Sequence, residues 1–500
     1  MLKNKLYVYG DDQLQLPAHL QYGKHLYQRI KTQKDKIAII NAESGETLSY
    51  RALTQKVVDI ALSLTRVGIK KGDVVGICSE KNLDFIPTVL GIACVGATIT
   101  LADVTSESAK VLHRLKLPNL KLIFCSGFGY DSHKESFSTI PGLEHVIVYG
   151  DQAREGTTLF KQFLTEHADI EDFLPVTVEA EDPVIILYTS GTTGSPKGVL
   201  WTNKAMLMLM ETNVNSTFYK DKVVLVTREW CYPYALTLTL CCMAAGATVV
   251  YCPKNDTSQQ LDAIQAYKVQ IIQLTPSTLS DLVTSPIIEQ RDVSSVEMTL
   301  SSATSCNPKY IIAAKTKFPN LQKVCQLYGS AEMTGLATDQ NAPVKYGSAG
   351  IVGPGLVIKV VDLETRKPLG PNRRGEVCVK SVAFIPRYVN STSTNHLDEE
   401  GFFKTGDVAY YDEDGYIFFV DRMEELINFN SYQCIMHCRM LVGAPHKQYG
   451  EVPTAFVVLH PGSNISVPNK MRLEGGIRFV EQLPRIYGDK LNRKALKLLL

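Results

Sequence analysis

Residues 189–197 combine hydroxyl side chains, glycines and a single cation in an order suited to gripping phosphate. Thr189, Ser190, Thr192 and Thr193 supply hydroxyls, and Lys197 supplies positive charge. Gly191 and Gly194 allow left-handed backbone and close approach to a ligand. Successive loop N–H groups and hydroxyls form an anion-binding concavity of this kind. The Walker spacing of Gly-x-x-x-x-Gly-Lys-Ser/Thr is absent. A run of glycine, serine and threonine is also the composition of a solvated surface loop. Here it directly follows Val184 to Tyr188, an apolar, β-branched run that reads as a buried strand, and it ends in Pro196-Lys197-Gly198-Val199.

Two further stretches carry carboxylates beside glycine. Gln326-Leu-Tyr-Gly-Ser-Ala-Glu332 places an aromatic ring, a glycine and an acid in seven residues. Glu332 offers the oxygen ligand that Mg²⁺ takes alongside substrate phosphates, or it is a solvated surface charge. Gly401-Phe-Phe-Lys-Thr-Gly-Asp407 ends in a carboxylate after a Thr-Gly turn. Such a group can accept both hydroxyls of a vicinal diol, or it can cap the turn. Cys434, His437 and Cys438 lack a nearby fourth ligand for zinc.

The elements that must position these groups alternate. Leu53, Val57, Ile60, Ala61 and Leu64 share one helical face. Residues 73–78 read as a strand, 85–95 as a helix and 97–101 as another strand. Strand, helix and strand recur over 223–251, and a helix end, strand and loop over 267–277. This rhythm implies an α/β fold with parallel sheets covered by helices. Residues 127–181 are polar and read as connection and surface. Five hundred residues exceed one core, so a large multi-lobed domain and a smaller one are expected. A net charge of +1 argues against a nucleic-acid or anionic-membrane surface. The 12 cysteines, scattered without framework spacing, read as free buried thiols in a reducing compartment. Ala235 to Val250 is largely apolar but too short to span a bilayer, and no leader is evident at the N-terminus. The cytoplasm is the expected location, because Leu498-Leu499-Leu500 is not the Ser-Lys-Leu peroxisomal ending.

The stretch Tyr188-Thr-Ser-Gly-Thr-Thr-Gly-Ser-Pro-Lys-Gly-Val199 resembles the signature of the acyl-adenylate-forming (AMP-binding) superfamily. Within it the chain is most similar to the branch of 4-coumarate–CoA ligases and beetle luciferases. Resemblance extends from about Leu48 to Lys490. It implies a large N-terminal lobe of parallel α/β sheets with a small β subdomain over 1–420, followed by a small, shortened α+β lobe over 421–500. It implies ATP, Mg²⁺ and CoA as cofactors and a small-molecule carboxylic acid as substrate. ATP would be held by Thr189, Ser190, Gly191, Thr192, Thr193, Gly194 and Lys197, with Ser302, Ala303, Tyr328 and Gly329 around adenine, and Asp407 and Arg422 at the ribose. Glu332 would hold Mg²⁺. Lys490 would bridge the acid and the α-phosphate, and Thr193 and Glu332 complete the implied catalytic set. Tyr232, Tyr234, Ala303 and Gly329 would line the acid pocket, and Asp421 would be the hinge between half-reactions.

The chain also departs from the pattern. Tyr232 stands where the ligases have histidine, and a phenol cannot become cationic near neutral pH. Ala331 replaces a threonine. After Leu101 the chain reads Ala-Asp-Val-Thr-Ser in place of a Pro-rich turn, a divergence read as remote from the chemistry. Asn428 and Ser431 replace a lysine and a glycine of the hinge loop, and two segments of the small lobe are missing. The implied activity is an acyl-CoA ligase. The alternatives are a nucleotide or acyl binder that stops before thioester formation, and a luciferase-type monooxygenase.

Overall fold

The structure, a computed structural model, describes the chain except residues 1, 5, 11–15, 17–20, 190–195, 215–217, 305, 334–344, 346, 382, 384–385, 392, 394, 424–426, 430–431, 435–440, 447–449, 458–476 and 488–489. For residues 2–4 and 213–214, and for parts of the strands after residue 426, it describes the backbone course alone.

Two sheets carry the α/β part. One is parallel in the order Pro183–Tyr188, Thr98–Ala102, Val74–Cys78, Leu122–Cys125, His145–Val148, Thr158–Leu159. Gly198–Thr202 joins its edge antiparallel to Pro183–Tyr188, and Arg387–Tyr388 then pairs with Gly198–Thr202. The other runs Lys323–Gln326, Met298–Ser301, Ile271–Leu274, Val223–Val226, Thr248–Tyr251, Ile37–Asn41 in parallel, closed by an antiparallel Thr47–Ser49.

Helices Tyr22–Lys31, Tyr50–Arg66, Phe85–Cys94 and Pro233–Ala244 pack in the core between these sheets. The predicted face Leu53, Val57, Ile60, Ala61 and Leu64 is wholly buried there. Ser49 starts its helix by accepting the Ala52 N–H, which satisfies one orphan donor of the first turn. All ten residues of Phe85–Cys94 are buried, which explains why its sequence is apolar on every side. Helices Thr257–Tyr267, Pro276–Thr284 and Pro308–Lys317 cover the outer face of the second sheet.

An antiparallel sheet follows: Leu2–Asn4, Tyr7–Tyr9, Leu356–Val361, Gly375–Ser381, Phe403–Tyr411, Ile417–Arg422. The last part of the chain forms a separate sheet from Ile427–Phe429, Tyr432–Cys434, Leu441–His446, Gly450–Val457 and Ile477–Phe479, then a hairpin of Arg485–Tyr487 with Lys490–Leu491 and the helix Arg493–Lys497.

Three sequence expectations are corrected. Residues 127–181 are not only connection: Gly127–Phe137 is a helix and His145–Val148 a sheet strand, with Phe137 and Ile147 buried. Pro276 does not open a loop; it is at the first turn of a helix that Thr275 caps by accepting the Thr278 N–H. Gly406-Asp407 is not a turn but lies inside the strand Phe403–Tyr411, where the register to Gly375–Ser381 shifts. Gly406 there takes φ 70°, the conformation a bulge of this kind requires.

Among the described residues, no helix is long and apolar enough to cross a membrane. All ten cysteines described in side-chain detail are buried and none forms a disulfide.

Candidate active site

In an open parallel sheet, ligands sit beyond the carboxyl ends of the strands. Strands Ile271–Leu274, Met298–Ser301 and Lys323–Gln326 end side by side, and the predicted segments 302–304 and 327–332 leave from two of those ends. Ala303 takes φ 83°. A left-handed non-glycine residue is costly, and such strain gathers at binding sites.

Segment 326–332 is held from every side. Leu327 N–H donates to Ser301 O at 2.7 Å, and the Gln326 Oε1 accepts the Cys306 N–H at 2.7 Å. Trp201 Nε1, from the first sheet, donates to Ala331 O at 2.8 Å. Tyr328 Oη donates to Asp407 Oδ2 at 2.7 Å, tying the segment to the antiparallel sheet. Asp407 is 2% exposed, and its other oxygen meets Arg422 Nε at 2.9 Å. Asp407 and Arg422 are register partners on neighbouring strands, which explains why their side chains meet. Burial, and then the Asp407 charge, hold the Tyr328 phenol well above its ordinary value.

Glu332 makes a second cluster. Ser330 Oγ donates to its Oε2 at 2.8 Å, and Tyr388 Oη to its Oε1 at 3.2 Å. Lys197 Nζ lies 5.3 Å from the centre of the Tyr388 ring, in cation–π range. Tyr388 therefore joins the loop lysine to the candidate metal ligand. Burial, and then Glu332, raise its phenol above the ordinary range. Among the described residues, no cluster of three His, Cys, Asp or Glu side chains could hold a metal. One carboxylate with hydroxyl neighbours fits an ion shared with substrate phosphates.

At the base of the glycine-rich loop, Thr189 N–H donates to Lys197 O at 3.0 Å, and Thr189 Oγ1 accepts the Lys197 N–H at 3.1 Å. These bonds continue the ladder that pairs Tyr188 with Gly198. His113 Nε2 lies 2.9 Å from Pro196 O. Residues Ser190, Gly191, Thr192, Thr193 and Gly194 lie outside the described residues.

Tyr234 Oη donates to Leu300 O at 3.1 Å, placing its ring beside the strand that leads to Ala303. Tyr232 Oη donates to Asp103 Oδ2 at 2.6 Å, and Arg228 lies 4.7 Å over the Tyr232 ring. Asp103 is 5% exposed and also accepts from Thr105 and Ser106. The stretch after Leu101 is thus bonded to Tyr232, one of the residues expected to line the acid pocket.

Asp421 is 7% exposed, accepts the Arg422 N–H, and lies 3.4 Å from Arg493 Nη1 of the last helix. Lys490 begins the second strand of the terminal hairpin, and only its backbone is described. Asn428 and Cys434 are described by backbone alone; Ser431, His437, Cys438 and the two sites of the missing segments lie outside the described residues. Sequence reading missed Trp201, Asp103, His113 and Tyr388.

The fold and the candidate site are those expected of an adenylate-forming enzyme. Residues 26–389 match the family model for AMP-binding enzymes, and the chain belongs to that family. It is 28% identical over 520 aligned positions to 4-coumarate–CoA ligase 1 of Petroselinum crispum, covering 96% of this chain and 94% of that one. It is 28% identical to the luciferin 4-monooxygenase of Luciola mingrelica over 519 positions, 96% of this chain and 94% of the relative. Its fold matches ATP-bound MatB from Rhodopseudomonas palustris with a TM-score of 0.85 at 20% identity, over 96% and 99% of the two chains. At the level of its family the chain is an ATP-dependent, AMP-forming acid–thiol ligase.

Proposed function

We propose that this chain joins a small-molecule carboxylic acid to the α-phosphate of ATP, and then passes the acyl group to CoA. In the first step a carboxylate oxygen attacks the α-phosphorus and pyrophosphate leaves. In the second the CoA sulfur attacks the acyl carbon and AMP leaves. Both steps rest on positioning and on charge placed where it develops.

The observation that carries the reading is the double anchoring of one short segment, through Tyr328 to Asp407 and Arg422, and through Glu332 to Tyr388 and Lys197. In this assignment Tyr328 and Gly329 flank adenine with Ser302 and Ala303, and Asp407 with Arg422 orients ribose. Residues 189–197 grip the phosphates. Glu332 would hold Mg²⁺, which neutralises phosphate charge. Lys490 draws the acid and the α-phosphate together as a compact point charge on a flexible stem. Tyr232 and Tyr234 border the acid. Lobes 1–420 and 421–500 would rotate about Asp421 between the half-reactions.

The test is pyrophosphate release from ATP and Mg²⁺ with a panel of fatty and cinnamic acids, each with and without CoA. Turnover that requires CoA supports the ligase. A single stoichiometric burst unaffected by CoA identifies an enzyme of the first half-reaction only. Absence of release with any acid overturns both.

A further inference from the structure

We infer that Gln273 is a specificity-determining residue, and that the acid carries a hydrogen-bonding group away from its carboxylate. This rests on the ligase reading above. Gln273 occupies the strand Ile271–Leu274, one residue from its carboxyl end, and is wholly buried. Neither its Oε1 nor its Nε2 has a hydrogen-bond partner among the described residues. Its backbone is satisfied, since Gln273 O accepts both the N–H and the hydroxyl of Thr227. The orphaned atoms belong to the side chain alone.

Direction follows from register. Gln273 pairs with Val226 on one side and Leu300 on the other, and register partners in a parallel sheet share a face. Val226 and Leu300 pack in the core between the two sheets, with Leu236 and Leu240 of the helix Pro233–Ala244. The Leu300 carbonyl is also the acceptor for Tyr234, the tyrosine assigned to the acid pocket. The Gln273 amide therefore lies one row beneath the strand ends from which 302–304 depart, on the side of Tyr234.

A primary amide needs an acceptor for its N–H groups and a donor for its oxygen, and burying it with neither is costly. A substrate hydroxyl, amine or amide supplies one or both. Sites that hydrogen-bond a substrate group reject the analogue lacking it far more strongly than an apolar pocket rejects an extra methylene.

Two measurements test this. The first is pyrophosphate release for matched acids, dodecanoate against 12-hydroxydodecanoate and cinnamate against 4-hydroxycinnamate. In the accepted series the wild type should favour the hydroxylated member in kcat/KM by at least about 100-fold. Gln273→Leu should shrink that preference to about tenfold or less while keeping activity on the apolar member. Equal use of both members by the wild type, or an unchanged preference in the variant, overturns the proposal and leaves the ligase intact. Absence of release with every acid is a failure of the ligase reading instead. The second measurement needs no turnover: thermal melting of the ligand-free protein. Gln273→Leu removes an unsatisfied buried amide at similar volume, so it should melt at or above the wild-type temperature. A clear drop would show that the amide is satisfied within the fold and would overturn the proposal on its own.

Discussion

Each oxygen of Asp407 meets a partner from a different stretch of chain, Tyr328 through one and Arg422 through the other. A carboxylate with free torsion could face many ways; one clamped from both sides presents fixed acceptor positions. Tyr328→Phe removes one clamp and leaves the ring. A bond from a hydroxyl to a charged acceptor contributes about 1.5–3 kcal/mol, and the Arg422 pair persists in the variant. We expect the KM for ATP to rise about tenfold or more, since 1.4 kcal/mol is a factor of ten, with little change in the KM for the acid. Initial rates at varied ATP and varied acid separate the two. Equal increases in both would mean that Tyr328 supports the segment and not the ribose position. The Asp103–Tyr232 bond shows where reading one residue at a time falls short. The partners are 129 positions apart, and the resemblance marks each, in its own stretch, as a departure from the expected pattern. Nothing in a single chain links two such departures; only folding brings them within hydrogen-bond reach.

Elements were legible where burial imposes a period. The helix Tyr50–Arg66 buries one stripe, and the strand Pro183–Tyr188 is buried almost throughout, so their apolar spacing matched their surroundings. The helix Gly127–Phe137 also buries one stripe, Gly129, His133, Ser136 and Phe137, but three of the four are not hydrophobic, so it read as surface. The two-residue strand Arg387–Tyr388 is too short to show any period, which is why Tyr388 escaped notice beside Glu332. Contacts between elements are harder still to read, and one of them titrates. Glu211, on the helix Asn203–Val214, lies 2.9 Å from His25 Nε2 and 3.2 Å from Arg29 Nη2, both on the helix Tyr22–Lys31. The His25 hydrogen bond holds its carboxyl below the ordinary 4.5, against burial and with help from Arg29. A carboxylate depressed in the folded state stabilises the fold above its unfolded value, and that contribution fades as pH falls through the lower, folded value. Glu211→Gln should therefore be less stable than wild type near neutrality by about 1–3 kcal/mol. The gap should close as pH drops from about 5 downward. Melting temperature against pH tests this, and a gap constant across the acid range would remove the charge from the explanation.

On the scale of the molecule, three sheets meet at segment 326–332, and the terminal hairpin must be brought to it if Lys490 is to act. The join between the part of the chain that carries this hairpin and the rest passes through Asp421, the penultimate residue of the strand Ile417–Arg422. Asp421 is paired with Arg493, which begins the last helix three residues after Lys490, and both side chains are about nine-tenths buried. If the small lobe rotates about Asp421, this pair belongs to one arrangement and must be remade or lost in the other. Breaking a buried ion pair is costly because the remaining charge is left without its partner. The pair therefore biases the equilibrium toward the arrangement seen here, and a bias of 1.4 kcal/mol shifts populations tenfold. Arg493→Gln removes the charge and shortens the side chain while leaving a hydrogen-bonding amide. Its effect on the two half-reactions should be opposite in sign, slowing the one that uses this arrangement and leaving the other unchanged or faster. Single-turnover rates of adenylate formation, and of thioester formation from preformed adenylate, measure the two separately. Equal slowing of both, with a lower melting temperature, would make the Arg493 pair a fixed support of the fold and remove it from any rotation.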